Sequence, residues 1–447
     1  MMTLTTSAAA RGVPAPATSP VPGDASPAAE ASPALREAAA ARVLRDAADR
    51  TVDGLLDCAI RSGQRVGWPS WQLDTDGQPQ RLTGGDVTLY DGDAGIALAL
   101  GRLGVALDRT DAGEVAVQGT AAALRHLDDL PPGLLDGHTG AVLAAHLVQA
   151  STDVAVPGLG SVGLPPASAI HASDLTSGLA GLGLAQARMG CTRDHAALTV
   201  AALRQTARSA AIGLSWADPA PDHTQALCGL AHGASGIAIA AAELAALHDG
   251  LPGAADVIAG ALRWEATWFD PLAGGWPDLR PGGGGHPALW CHGAAGIAAV
   301  RLRLLELADR GVDLGLPSEQ VEVDAQMAVQ ACGRLAAAVG DTLASADPAL
   351  PASALVPGGL TLCHGLGGPL EVLVQAYQRW DVGAHLALAR EVALAVLQRL
   401  GPDVMAWPSG VRGVESAGLM VGAAGTAMVL ARLADPRGLL PSPSLVG

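Results

Sequence analysis

The sequence predicts an all-α protein folded as an α/α toroid, a double-layered helical barrel with seven inner and seven outer helices. Three observations carry this. A Gly-x-x-Gly element followed by a small, apolar run recurs seven times, beginning at Gly92, Gly137, Gly178, Gly233, Gly293, Gly365 and Gly422. First to last spans 330 residues in six intervals, a mean period of 55, room for two helices of ordinary length and two loops. From about Ala38 onward apolar residues fall at helical spacing, with almost none of the β-branched alternation of strands.

The inner helices are the runs that start at each glycine pair. Glycine there lets backbones approach closely, and the alanines that follow fit a crowded interior. The outer helices are the segments between, such as Ala255 to Trp268 and Ala384 to Leu400. These carry Leu, Val and Ile at helical spacing with Arg and Glu between, as a half-exposed layer does. Residues 1–36, rich in Ala, Pro, Ser and Thr, predict a disordered lead-in, because such a composition buries too little apolar surface to offset chain entropy. The toroid then occupies 37–437, and 438–447 form a flexible tail. With 447 residues and 49% hydrophobic content, one large core is within reach.

Net charge is −16, from 43 acidic against 27 basic residues, which disfavours nucleic acid and anionic lipid as partners. Lysine is absent and Ala, Gly and Pro abound, a coding bias of GC-rich bacterial genomes. Six cysteines in so long a chain are too few for a disulfide scaffold. The start also lacks a basic region followed by an apolar one, so a reducing cytoplasm is expected. The most apolar runs, Gly236 to Leu247 and Gly293 to Leu305, are interrupted by Glu243, Arg301 and Arg303 before the length of a membrane span, so no membrane insertion is expected.

Three repeats carry metal-capable residues at the glycine pair: Gly229-Leu-Ala-His232-Gly, Trp290-Cys291-His292-Gly and Leu362-Cys363-His364-Gly. Equivalent positions in a toroid point at one central cavity, so residues far apart in sequence converge there. Cys291, Cys363 and His364 together offer two thiolates and one imidazole and leave a fourth tetrahedral position open, the mark of a catalytic rather than a structural site. Taken singly, a buried Cys is more often an inert hydrophobe and a lone His a satisfied core or surface residue. Two Cys-His pairs at matching places in a repeat weigh against that. Cys58, Cys191 and Cys332 lack such company and are assigned to packing, and Cys228, four residues before His232, is a weak ligand candidate because Gly229 and Gly233 suggest a loop.

The segments Leu89-Tyr-Asp-Gly-Asp-Ala-Gly-Ile96, Asp174-Leu-Thr-Ser-Gly-Leu-Ala-Gly181, Gly229-Leu-Ala-His-Gly-Ala-Ser-Gly236, Trp290-Cys-His-Gly-Ala-Ala-Gly296, Leu362-Cys-His-Gly-Leu-Gly-Gly368 and Gly418-Leu-Met-Val-Gly-Ala-Ala-Gly425 resemble, in order and content, the motif set of lanthionine synthetase cyclase (LanC-like) proteins. The similarity spans about residues 50 to 435. It implies an α/α toroid and a catalytic Zn2+ held by Cys291, Cys363 and His364. It also implies cyclisation of a ribosomally made, dehydrated precursor peptide that carries a leader. The chain departs from the family's usual pattern in four places. Pro287 stands four residues before the first zinc cysteine, where an arginine is usual, with Arg280 and His286 nearby; His292 follows that cysteine, where some members have Tyr; Pro369 and Asp91 occupy positions where Asn is common.

A free thiol titrates near ~8.5, so few are nucleophilic at neutral pH, and zinc would deprotonate one. Addition to a dehydroalanine or dehydrobutyrine β-carbon leaves an enolate to be protonated at Cα. His232 is the expected acid and Asp174 its orienting carboxylate, though Asp174 also reads as a helix N-cap; His292 either assists proton transfer or stands behind. Two other functions compete. One is another toroidal enzyme, such as a glycoside hydrolase or terpenoid enzyme, disfavoured by 3% aromatics and the lack of an Asp-rich cluster. The other is a LanC-like zinc protein that binds a thiol such as glutathione without closing rings. The first 40 residues are too few and too featureless for a dehydratase, so dehydration is expected from a separate dehydratase or kinase/lyase.

Overall fold

The structure is a computed structural model and describes residues 33–63, 65–73, 78–217, 225–411 and 413–446. The chain divides into a short unit, Met1–Ala39, and a large one, Ala40–Gly447. Of the short unit only residues 33–39 are described, as the start of helix α1 (Pro33–Asp57); of the expected lead-in, residues 1–36, the stretch 1–32 lies outside the described residues.

The large unit continues α1 and adds α2 (Asp93–Leu107), α3 (Thr110–Ala123), α4 (His138–Thr152), α5 (Leu179–Met189), α6 (Arg193–Thr206), α7 (Ala234–Leu247), α8 (Ala254–Ala266), α9 (Ala294–Asp309), α10 (Ser318–Ser345), α11 (Ala352–Leu355), α12 (Gly367–Trp380), α13 (Gly383–Leu400) and α14 (Ala423–Ala434). Short antiparallel hairpins accompany them, the longest pairing Ser70–Leu73 with Pro79–Thr83. Seven helices, α2, α4, α5, α7, α9, α12 and α14, start at the glycine pairs and pack on one another in chain order, α14 closing on α2. In six of them the first glycine is the N-cap; after Gly365 the helix starts two residues later, at Gly367.

Closure of this inner ring depends on the second glycine of each pair. A Cβ at Gly296 would overlap the Trp290 carbonyl oxygen and lie 2.6 Å from Leu230 Cβ; one at Gly140 would overlap the Leu134 carbonyl and lie 2.9 Å from Leu89 Cβ. The same pattern holds at Gly181, Gly236, Gly368 and Gly425, and Gly95 completes the circle against Leu419, at 2.9 Å. Each inner helix thus seats on its own loop and on the same position of the preceding repeat, a contact that any side chain would force apart. Backbone hydrogen bonds stitch the loops together: Met420 N to Tyr90 O (2.9 Å), Tyr90 N to Leu135 O (2.9 Å), Leu135 N to Thr176 O (2.9 Å), Thr176 N to Ala231 O (3.2 Å), Ala231 N to Cys291 O (3.2 Å) and Cys363 N to Met420 O (2.8 Å). Between Cys291 and Cys363 the link is made instead by a side chain, Cys291 Sγ lying 3.5 Å from Cys363 O.

The outer layer is formed by the helices between the inner ones, as the repeat predicts. Among the described residues it holds six of 13 residues or more: α1, α3, α6, α8, α10 and α13. Between α4 and α5 there are only two three-residue 3-10 turns, Leu159–Ser161 and Ala167–Ala169. Pro157, Gly158, Gly160, Gly163, Pro165 and Pro166 crowd that connection and deny it a helix. Ser444, Leu445 and Val446 are buried, and the Ser444 carbonyl accepts a hydrogen bond from Trp290 Nε1 at 2.8 Å, so carbonyls of a short Pro/Ser segment find donors in the ring. Among the described residues, no helix is long and apolar enough to cross a membrane.

Candidate metal centre and its surroundings

The residue before the first glycine of each repeat is, in order, Asp91, Asp136, Ser177, His232, His292, His364 and Val421, and the one before that is Tyr90, Leu135, Thr176, Ala231, Cys291, Cys363 and Met420. Because the loops are bonded in a circle, these side chains gather at the N-terminal end of the inner helices. Gly293 has φ +112°, a conformation side chains rarely adopt, and a Cβ there would overlap the Pro287 carbonyl. Glycine at that turn is what lets the chain reverse directly after Cys291 and His292.

Cys291, Cys363 and His364 come together as the sequence predicts, with their ligand atoms all within 4.8 Å of one another. Both cysteines are buried and His364 is exposed. A hydrogen bond from Cys363 and the neighbouring His364 hold the Cys291 thiol well below the ordinary cysteine range; burial and the Cys291 charge push Cys363 up. The His364 ring is also hydrogen-bonded to the Gly410 backbone. Tyr90, at the repeat position equivalent to the two cysteines, donates its hydroxyl to Cys363, and burial pushes its phenol well up.

His232 Nδ1 lies 2.7 Å from Asp174 Oδ2. Asp174 is 1% exposed and its Oδ2 also accepts from Thr176 N (3.2 Å) and Ser177 N (3.3 Å). The N-cap of α5 is Gly178, with no side-chain bond, so Asp174 braces the loop and the imidazole rather than capping the helix. His292 stacks on His232, ring centroids 5.9 Å apart, and burial lowers its pKa. Ser177 Oγ donates to Asp136 Oδ2 at 2.6 Å, and burial raises the Asp136 pKa. Asp136, Ser177 and Tyr90 were not among the residues expected at the site, although their places beside the first glycine were the available signal.

Arg280, gripped by Asp278 at 2.7 Å, lines a cavity of about 890 Å3 with His364, Ser409 and Gly410, and its charge is felt at both Cys291 and Cys363. His286 faces Asp270 at 3.5 Å instead. Cys228 stands outside the three-residue cluster, and burial pushes its thiol well up; Cys332, on α10, is pushed up to about 12, chiefly by burial. Asp91 is held by Ser416, and Pro369 sits in the first turn of α12, where a missing N–H costs nothing.

A family model described as lanthionine synthetase C-like protein matches residues 84–343 and 352–445. The chain belongs to this family. Among solved structures, nisin cyclase shares the fold of this LanC-like protein with a TM-score of 0.52 at 15% sequence identity, over 78% of this chain and 88% of that one. No curated protein matches the sequence.

Proposed function

We propose that this LanC-like protein is a zinc-dependent lanthipeptide cyclase, which adds cysteine thiols of a dehydrated precursor peptide to its dehydroalanine or dehydrobutyrine residues and so forms (methyl)lanthionine thioether rings. The observation that carries the reading is the convergence of Cys291, Cys363 and His364 within 4.8 Å, with a histidine–carboxylate pair beside them. Two thiolates and one imidazole are a soft donor set suited to zinc, and they leave one tetrahedral position for a substrate. Zinc bound there supplies a centre that deprotonates an incoming thiol.

The chain's own residues account for the remaining chemistry. As the substrate sulfur bonds to the β-carbon, the C=C pair moves toward Cα and the adjoining amide oxygen. Arg280 offers that oxygen a fixed positive charge in a cavity partly shielded from water. His232, oriented through Nδ1 by Asp174, delivers a proton to Cα. His292, stacked on His232, is the route by which the proton lost from the thiol returns. Nothing leaves, so the product is an isomer of the substrate. The reaction consumes dehydrated residues, which places a separate dehydratase or kinase/lyase before it. A precursor with a leader peptide is the partner, and the cytoplasm the expected site of action.

The test uses zinc-loaded protein and a synthetic peptide with one dehydroalanine upstream of one cysteine, followed by thiol alkylation and mass spectrometry. A closed ring refuses the alkylating reagent and keeps the starting mass. The wild type should close it faster than buffer alone, and Cys363→Ala should lose both zinc and the excess rate. Zinc-loaded protein that binds thiols yet leaves every cysteine alkylatable would instead favour a binding protein for ligands such as glutathione.

A further inference from the structure

The opposite end of the inner ring gathers polar side chains that cyclisation does not use. Seven residues past the second glycine of each repeat, about 10 Å along each inner helix, stand Arg102, Leu147, Arg188, Glu243, Arg303, Gln375 and Arg432. All but Glu243 line one cavity of about 440 Å3, whose wall is completed by Gly438 to Ser442 and Leu445 of the C-terminal segment.

Three of the four arginines there are matched by carboxylates. Glu243 bridges Arg188 (3.0 Å) and Arg303 (2.7 Å), Glu306 meets Arg303 (2.8 Å), and Glu371 holds Arg432 (2.8 Å). Gln378 and the Leu440 carbonyl take further Arg432 donors. Arg102 has no hydrogen bond or ion pair among the described residues, and its Nε is buried without a partner, as is that of Arg188. Four guanidinium groups therefore face three carboxylates, and the surplus sits on Arg102. Burial, and then the charge of Arg188, lower the Arg102 pKa, so the two cations are close enough to repel. In a chain of net charge −16, an unpaired cation held near a like charge costs free energy that an anion would return.

We propose that this cavity is an anion site that takes an oxyanion, the phosphate or carboxylate group of a small molecule, between Arg102 and Arg188. Guanidinium forks present paired N–H donors that match either group, and the volume admits a small ligand rather than a folded partner. The site belongs to the same inner ring as the Cys291, Cys363 and His364 cluster and shares no residue with it.

The test titrates full-length, zinc-loaded protein by calorimetry with inorganic phosphate and, separately, with succinate, ionic strength being held constant with chloride. Saturable binding of at least one probe is expected, weakened roughly tenfold or more in Arg102→Leu while zinc content and helical signal are kept. Arg102→Lys, which keeps the charge, should retain more of the affinity than Arg102→Leu. Binding of phosphate alone assigns a phosphorylated ligand, and of succinate alone a carboxylate. No saturable binding of either probe, or equal affinity in wild type and Arg102→Leu, would overturn the proposal. If Arg102→Leu does not retain zinc, Arg102→Gln replaces it in the same comparison.

Discussion

An alanine at Gly296 would put its Cβ 2.6 Å from Leu230 Cβ and in overlap with the Trp290 carbonyl oxygen, one residue before Cys291. Carbon atoms pack best at roughly 3.5–4.0 Å, so about 1 Å must be recovered, and the obstacle on the Trp290 side is backbone, which cannot swing away. Overpacking of this kind costs about 1–3 kcal/mol; with backbone in the way the upper figure applies, roughly a hundredfold in the folding equilibrium. Relief comes only if α9 moves away from its own loop, which shifts Cys291 relative to Cys363 and His364. The control is Gly333→Ala in the outer helix α10, where an added Cβ meets nothing within 4 Å. That change should stabilise by about 0.5–1 kcal/mol through the usual glycine-to-alanine gain in a helix. Urea unfolding followed by circular dichroism measures both variants, and chelator competition measures their zinc affinity. Gly296→Ala should be less stable than wild type and release zinc more readily, Gly333→Ala the reverse or neutral. If Gly296→Ala matched the wild type in stability and zinc affinity, the close-packed ring would not be what positions the metal ligands.

Three further outcomes are expected. His232→Asn should keep zinc but slow ring closure by about 10²–10⁴-fold, the usual worth of a general acid; unchanged turnover would remove His232 from that role. Tyr90→Phe removes the hydroxyl donated to Cys363 and should weaken zinc binding or activity by about 10–100-fold, as loss of a ligand's hydrogen-bond partner does, whereas wild-type zinc affinity and rate would reduce Tyr90 to packing. Asp93, buried and accepting from Trp68 N at 2.7 Å, is pushed up to about 7 by burial. The native state therefore holds a proton that the unfolded chain has released, so stability from this group is full below about pH 4 and falls as pH rises to about 7, by up to about 4 kcal/mol. Asp93→Asn should flatten that part of the profile in urea unfolding at several pH values, and an unaltered slope would refute the assignment.

The starts of the seven inner helices were legible in the amino-acid order because the requirement behind them is local. A glycine is needed wherever a helix start meets a neighbouring loop, and the pair at Gly92 and Gly95, or at Gly422 and Gly425, shows it without reference to the rest of the chain. The convergence of Cys291, Cys363 and His364 followed from the same repeat, since equivalent positions of a closed ring must face a common centre, and His232 stands at the same place in its own repeat. The tertiary structure alone decided what depends on distance between unrelated segments. Arg280 comes to line the His364 cavity from a loop of glycines with no repeat register, Ser444 anchors Trp290 from a segment remote in sequence, and the connection from Asp153 to Gly178 holds only two 3-10 turns although the ring still closes. Periodicity records which residues are equivalent by rotation about the ring; it carries no information about side chains brought together by loops and termini that fall outside the repeat, because their proximity arises only once the circle has closed.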